Sequence, residues 1–186
     1  MTWIQTFSGR RFYPLDPQPD QIDIIDIAHA LSHLCRYVGH CKHHYSVAQH
    51  SLLVSQHVPA EHALWGLMHD AAEAYLGDVP RPIKALLPAY KDAERRVQAA
   101  ICARFGLPPD EPPEVKRVDT AILADERRAL LSKLDVSDHE WGATEPPLGI
   151  EIKPRIAFDA KWAFIERFGS LTEQAALVRA HADLFA

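Results

Sequence analysis

His69-Asp70-Ala71-Ala72-Glu73-Ala74-Tyr75-Leu76-Gly77-Asp78 is the stretch on which the reading of this chain turns. On a helix, His69 and Glu73 are four residues apart and Asp70 and Glu73 three, so all three lean towards one side. Their neighbours Leu64, Leu67, Met68, Ala71, Ala72, Tyr75 and Leu76 mark most of this helix as buried. Buried, unpaired carboxylates are costly. A cation is the most economical compensation, and the rest of the chain is read for its other ligands.

The 186 residues suffice for one domain with a full core, and 47% apolar with 24% charged residues is the balance of a globular protein. A formal charge of −5 gives no electrostatic reason to expect a nucleic-acid partner. Cys35, Cys41 and Cys102 are an odd number without Cys-x-x-Cys spacing, which suggests neither a disulfide framework nor a zinc knuckle and points to a cytoplasmic protein. The Met1-Thr2-Trp3-Ile4-Gln5 start carries no export signal, and no apolar run reaches membrane-spanning length, so no membrane partner is expected. Eleven histidines, nine of them between Ala28 and Asp70, are the unusual feature of the composition.

Around the central stretch the pattern is helical. Ser8-Gly9-Arg10-Arg11 followed by Pro14, Pro17 and Pro19 predicts a strap or small hairpin. Apolar spacing then predicts a helix from Ile22 to about Val38, started by Asp20 or Asp23. His29 and His33 lie on its polar side, and Arg36 near its end is a candidate anion clamp or a simple helix-terminal charge. Cys41, His43 and His44 occupy a polar loop with no evident scaffold for a metal. Ser46 and Gln49 stand in capping-box register for a helix bearing His50, which taken alone reads as a core histidine.

The opening stretch falls in a helix predicted from His62 to Leu76. Pro80 and Pro82 then force an extended or first-turn segment that carries Arg81 and Lys84. A helical stripe from Tyr90 to Phe105 ends at Gly106, with Lys91, Glu94, Arg95 and Arg96 on its solvent side. Another helix runs from about Glu114 to Leu131, with Val115, Val118, Asp119, Ile122 and Ala129 on one face. Asp119 is thus a second carboxylate set in an apolar stripe. A long loop from about Val136 to Pro154 reads as a lid or oligomer contact. Phe158, Trp162 and Ile165 mark a core-facing helix ending at Gly169, and Ser170-x-x-Glu173 caps a last one. The expected architecture is all-α, a single domain of roughly six or seven helices with a short N-terminal strap.

His50, His69, Asp70 and Asp119 stand out together as metal ligands. Their order on successive helices resembles the HD-domain metal-dependent phosphohydrolase superfamily. Ser46-Val47-Ala48-Gln49-His50-Ser51 resembles that family's first-histidine segment; the other matches are His69-Asp70-Ala71-Ala72-Glu73 through Gly77-Asp78-Val79-Pro80, and Val115-Lys116-Arg117-Val118-Asp119. The second match is similar to bacterial 5'-deoxynucleotidases of the YfbR type and to small phage deoxynucleoside triphosphohydrolases. By motif the resemblance covers roughly residues 28 to 131. Gln49 stands where related sequences often have Glu, which is expected to alter the surroundings of His50.

The resemblance implies an HD-type helical bundle holding a divalent transition metal ion, manganese, cobalt, iron, nickel or zinc, which a mixed nitrogen and oxygen donor set suits. It implies hydrolysis of a small nucleotide, foremost a 5'-deoxynucleoside monophosphate to deoxynucleoside and phosphate. Glu73 and Asp78 would be the catalytic residues, and Arg36, Tyr37 and Lys84 the substrate contacts. By analogy the chain is a homo-oligomer, foremost a dimer. Two other readings share these residues: release of triphosphate or pyrophosphate from a nucleoside triphosphate, and a non-catalytic nucleotide sensor or structural module. Glu73 argues against the last, because a binder has no need of a general base.

Overall fold

The computed structural model describes residues 2–172. Ile4–Gln5 (β1) and Arg11–Phe12 (β2) form an antiparallel hairpin with Ile4 opposite Phe12, and its turn uses the left-handed Gly9. The regular elements that follow among the described residues are helices, as expected. Among the described residues the helices are α1 (Ile24–His33), α2 (Val47–His57), α3 (Ala63–Met68), α4 (Glu73–Leu76), α5 (Arg81–Lys84), α6 (Pro88–Phe105), α7 (Pro113–Leu130), α8 (Asp138–Trp141) and α9 (Ala157–Thr172). They are more numerous than expected: one anticipated helix divides, another stops early, and the one-turn helices α5 and α8 form in segments read as extended or loop.

α1 starts on Asp23, whose side chain accepts from the Ile25 N–H, and stops at Leu34 rather than near Val38. The chain turns extended there: Cys35 bridges Ser46, and the Arg36 N–H donates to the Tyr45 carbonyl. The 3-10 turn Arg36–Gly39 follows, with Tyr37 and Val38 both at φ 55. Two successive left-handed residues that are not glycine store strain, about 1–3 kcal/mol each. Arg36 is therefore no helix-terminal charge but a buried residue in a turn.

The second break divides the helix expected from His62 to Leu76. Ala71, Glu73, Ala74 and Tyr75 donate to carbonyls three residues back, so the chain tightens into 3-10 turns between α3 and α4. The Met68 carbonyl, which accepts from the Ala71 N–H in the tightened turn, also accepts from Gln98 Nε2 at 2.9 Å. His69 and Asp70 thus sit on a turn held by α6. At the exit Gly77 has φ 85, and its carbonyl accepts from Tyr90 Oη at 2.6 Å, which aims the chain at Asp78.

α2 packs on α3 and α9, and α1 on α9. The approach of α2 to α3 is close at Gly66, where an added Cβ would lie 3.1 Å from Val58 Cγ2 and 3.2 Å from Ser55 Cα. One core cluster gathers Ile25, Leu31, Met68, Ala71, Phe164 and Phe168; a second gathers Tyr45, Val54, Trp65, Val118 and Ile122. His69-Asp70 adjoins the first and Asp119 the second, so the candidate site lies along the seam between them.

Other expectations are corrected. α9 runs through Gly169 and Ser170, whose hydroxyl donates back to the Arg167 carbonyl, so Gly169 ends nothing; Glu173 and the last helix lie outside the described residues. Phe158 is exposed, and Phe164 and Phe168 fill the core in its place. The segment after Leu131, read as a lid or oligomer contact, is fastened to α7 and brings Trp141 to the cleft. Arg127 donates to the Leu134 and Val136 carbonyls and pairs with Asp138, and the Asp125 carboxylate accepts from the Gly149 N–H. His29 is covered by Phe7 of the hairpin, ring centroids 3.7 Å apart, and is not part of the metal-capable group found among the described residues.

Candidate metal centre and its cleft

His50 is brought to the seam by α2. Ser46 accepts from the Gln49 N–H at 3.2 Å and fixes the start of this helix, one turn before His50. Gln49 does not close the capping box: its side chain donates to the Lys153 carbonyl and accepts from the Arg155 N–H, stapling the segment before α9. It therefore has no part in the setting of His50.

His69 arrives from the turn after α3, its Nδ1 2.8 Å from the Gly66 carbonyl. Asp119 comes from α7. His50 Nε2 lies 3.2 Å and His69 Nε2 3.9 Å from Asp119 Oδ1, and the two imidazole centroids are 5.2 Å apart. One ligand atom from each of His50, His69 and Asp119 lies within 4.8 Å of the other two, the spacing of a group that can hold a metal ion. The donor set fits one. His69 Nε2 is buried without a hydrogen-bond partner although Asp70 Oδ2 is only 3.2 Å away. Two imidazoles and a carboxylate suit a transition metal.

Asp70 stands at the edge of this group. Its Oδ2 is 3.8 Å from His50 Nε2 and 3.5 Å from Arg36 Nη1. The histidines and acids shift one another strongly. Burial opposes charge on His69, but Asp70 and Asp119 outweigh it and raise its pKa to about 9. Burial favours the neutral acids, yet His69 holds Asp70 well below the usual carboxylate range, and His50 and His69 do the same for Asp119.

Glu73, one turn beyond His69, is 5% exposed. Its Oε1 lies 3.5 Å from Lys84 Nζ, and its Oε2 is buried without a hydrogen-bond partner. Burial, then Asp70 and Asp78, push its pKa up to about 9, against the pull of Lys84 and Arg36. Burial also raises Asp78. A protonated carboxyl and an ionised one thus stand side by side at the metal group, the arrangement that acid–base chemistry uses.

A cleft of about 900 Å³ opens over these residues. His69, Asp70, Glu73, Asp78 and Asp119 line it, as do Arg36, Tyr37 and Lys84, while His50 is buried behind them. All nine residues singled out from the sequence meet at this cleft or directly behind it. Lys84 is committed more firmly to Glu94, at 2.7 Å, than to Glu73, so Glu94 turns towards the site instead of lying on the solvent face of α6. Arg81 and Lys116 add positive charge at the lip, 3.4 and 2.7 Å from Asp119 Oδ2. Trp141 forms another wall, its ring centroid 5.9 Å from that of Tyr37.

Glu126 is the residue that sequence reasoning missed. It is wholly buried, with Oε1 2.6 Å from His50 Nδ1 and 2.8 Å from Tyr45 Oη. Its Oε2 accepts from Tyr37 Oη and lies 3.4 Å from Arg36 Nη2. Burial favours the neutral acid, yet Arg36, His50 and Tyr37 hold its pKa at about 2. Its signal was present: Glu126 follows Asp119 by seven residues, two helical turns, on the face that was expected to carry Ala129. Ala129 is exposed instead.

No family model matches the chain. It is 46% identical over 176 residues to the uncharacterized protein YfdR of Escherichia coli (strain K12), covering 93% of this chain and 97% of that protein. An uncharacterized protein of Rhodobacter capsulatus is 37% identical over 183 residues, covering 89% and 93%.

Proposed function

We propose that this chain, which belongs to the YfdR family, is a metal-dependent nucleotide phosphohydrolase of the HD-domain kind. Its foremost reaction is conversion of a 5'-deoxynucleoside monophosphate to deoxynucleoside and inorganic phosphate. One observation carries the reading: the His50–His69–Asp119 group opens into a cleft beside the Glu73 carboxyl, whose Oε2 has no hydrogen-bond partner.

His50, His69 and Asp119 would hold the metal, with Asp70 completing the set. When bound, the ion supplies Lewis-acid polarisation of the phosphate and an acidified water. Arg36, with its fork fixed by Asp70 and Glu126, presents a rigid guanidinium to the phosphate. Glu73, whose Oε2 has no hydrogen-bond partner, would in its ionised form accept a proton from the attacking water. Asp78, whose pKa burial raises, would donate a proton to the leaving oxygen in its neutral form. Tyr37 and Trp141 offer aromatic faces to the sugar and base. A second reading, release of tripolyphosphate from a deoxynucleoside triphosphate, is favoured by Arg81 and Lys116, which add positive charge to the cleft besides Arg36 and Lys84.

The test is a panel of nucleoside mono-, di- and triphosphates assayed with manganese, cobalt, zinc and magnesium. Inorganic phosphate from dAMP is expected. Tripolyphosphate from dATP with no action on dAMP would select the second reading, and hydrolysis of neither would sink both.

A further inference from the structure

We propose that Glu126 is the positioning residue of the metal centre: it fixes which nitrogen of His50 carries the proton and locks that imidazole to the wall of the cleft. This rests on the metal reading above. A carboxylate surrounded by donors can only accept, so the 2.6 Å contact with His50 Nδ1 places the hydrogen on Nδ1. Nε2, the nitrogen that faces Asp119 and His69, is then left with its lone pair. A metal-ligating histidine needs such a partner to hold its tautomer and its ring plane.

The surroundings of Glu126 leave it no other task. Oε1 is shared by His50 and Tyr45, and Oε2 by Tyr37 and Arg36, so both oxygens are fully engaged in a wholly buried place. Arg36 supplies the compensating charge that a buried carboxylate requires. Gln49 cannot substitute, being tied to Lys153 and Arg155. Because the hydroxyl of the left-handed Tyr37 ends on the same carboxylate, the strained turn that walls the cleft is pinned to the ring that would hold the metal.

The experiment is zinc titration by calorimetry on the full chain, with nitrogen NMR of histidine in the zinc-loaded protein. Glu126→Leu is expected to bind zinc about 10–100-fold more weakly, and to lose the downfield Nδ1–H resonance of His50 at saturating zinc. Glu126→Gln keeps volume and an acceptor, so it should bind more weakly than wild type but retain that resonance, shifted upfield. If the leucine variant does not fold, the glutamine variant decides alone: unchanged affinity with an unmoved resonance overturns the proposal. Weaker zinc binding with the His50 resonance unmoved overturns it too, since a core-filling role alone would give that result. Wild type that takes up zinc no better than either folded variant defeats this proposal only. Wild type that takes up no zinc defeats the metal reading with it.

Discussion

Glu73 and the ligand residues make separable demands, and substitution should separate them. Glu73 approaches the metal group from the next turn and is not one of its converging ligands. Glu73→Gln should therefore cut turnover of the preferred nucleotide by about 10²–10⁴-fold, with zinc affinity kept near wild type in calorimetry. His69→Ala should lose both, since it removes one of the three ligand atoms. Equal loss of zinc from the Glu73 variant would make that residue a ligand instead. The sequence made His69, Asp70, Glu73 and Asp119 visible because acids and histidines set among Leu67, Met68, Val118 and Ile122 stand out against an apolar pattern. It hid Glu126 because Asp125-Glu126-Arg127-Arg128 is a run of charges, and only the packing of α7 buries its first two residues.

At the scale of elements, the site depends on how tightly α2 and α3 approach. Gly66 has no room for a Cβ against Ser55 and Val58, and its carbonyl is the acceptor for His69 Nδ1. Gly66→Ala should lower stability by about 1–3 kcal/mol, seen as a fall in Tm, and should weaken zinc binding as well. A drop in Tm with zinc affinity unchanged would show that the two helices do not set the His69 ring. The breaks in the helices were not legible beforehand. His69-Asp70-Ala71-Ala72 contains no glycine or proline, so local propensity continues the helix, and the 3-10 turns are imposed by tertiary contacts such as Gln98 on the Met68 carbonyl. Leu34 and Cys35 continue the apolar stripe of α1 in the same way, and it is the Tyr45 and Ser46 backbone that draws them into an extended bridge. At Gly106 and Pro80 the expected boundaries hold, whereas Gly169, packed inside α9, stops nothing.

The whole molecule concentrates ionisable groups on one seam, and its stability should follow their titration. His69 in the metal-free protein is raised from 6.5 to about 9, so its contribution is complete below about 6.5 and is lost as pH rises to about 9. Glu73, raised from 4.5 to about 9, acts with the same sign, because the folded chain holds a proton that the unfolded chain has released. Tm in chelator should therefore fall between about pH 6.5 and 9. Saturating zinc should flatten that slope, since the bound ion takes the place of the protons. A Tm that rises with pH over this window in chelator would contradict the electrostatics of the seam. The all-helical class was legible from periodicity alone, and among the described residues no helix is long and apolar enough to cross a membrane.

The central claim is that the His50–His69–Asp119 group makes this chain a metal-dependent phosphohydrolase. Phosphate release from dAMP tests it most directly, measured on one preparation as purified, after stripping with chelator, and after return of manganese. The account predicts phosphate release that vanishes on stripping and returns with the metal. Release that is undiminished in the stripped protein would contradict it.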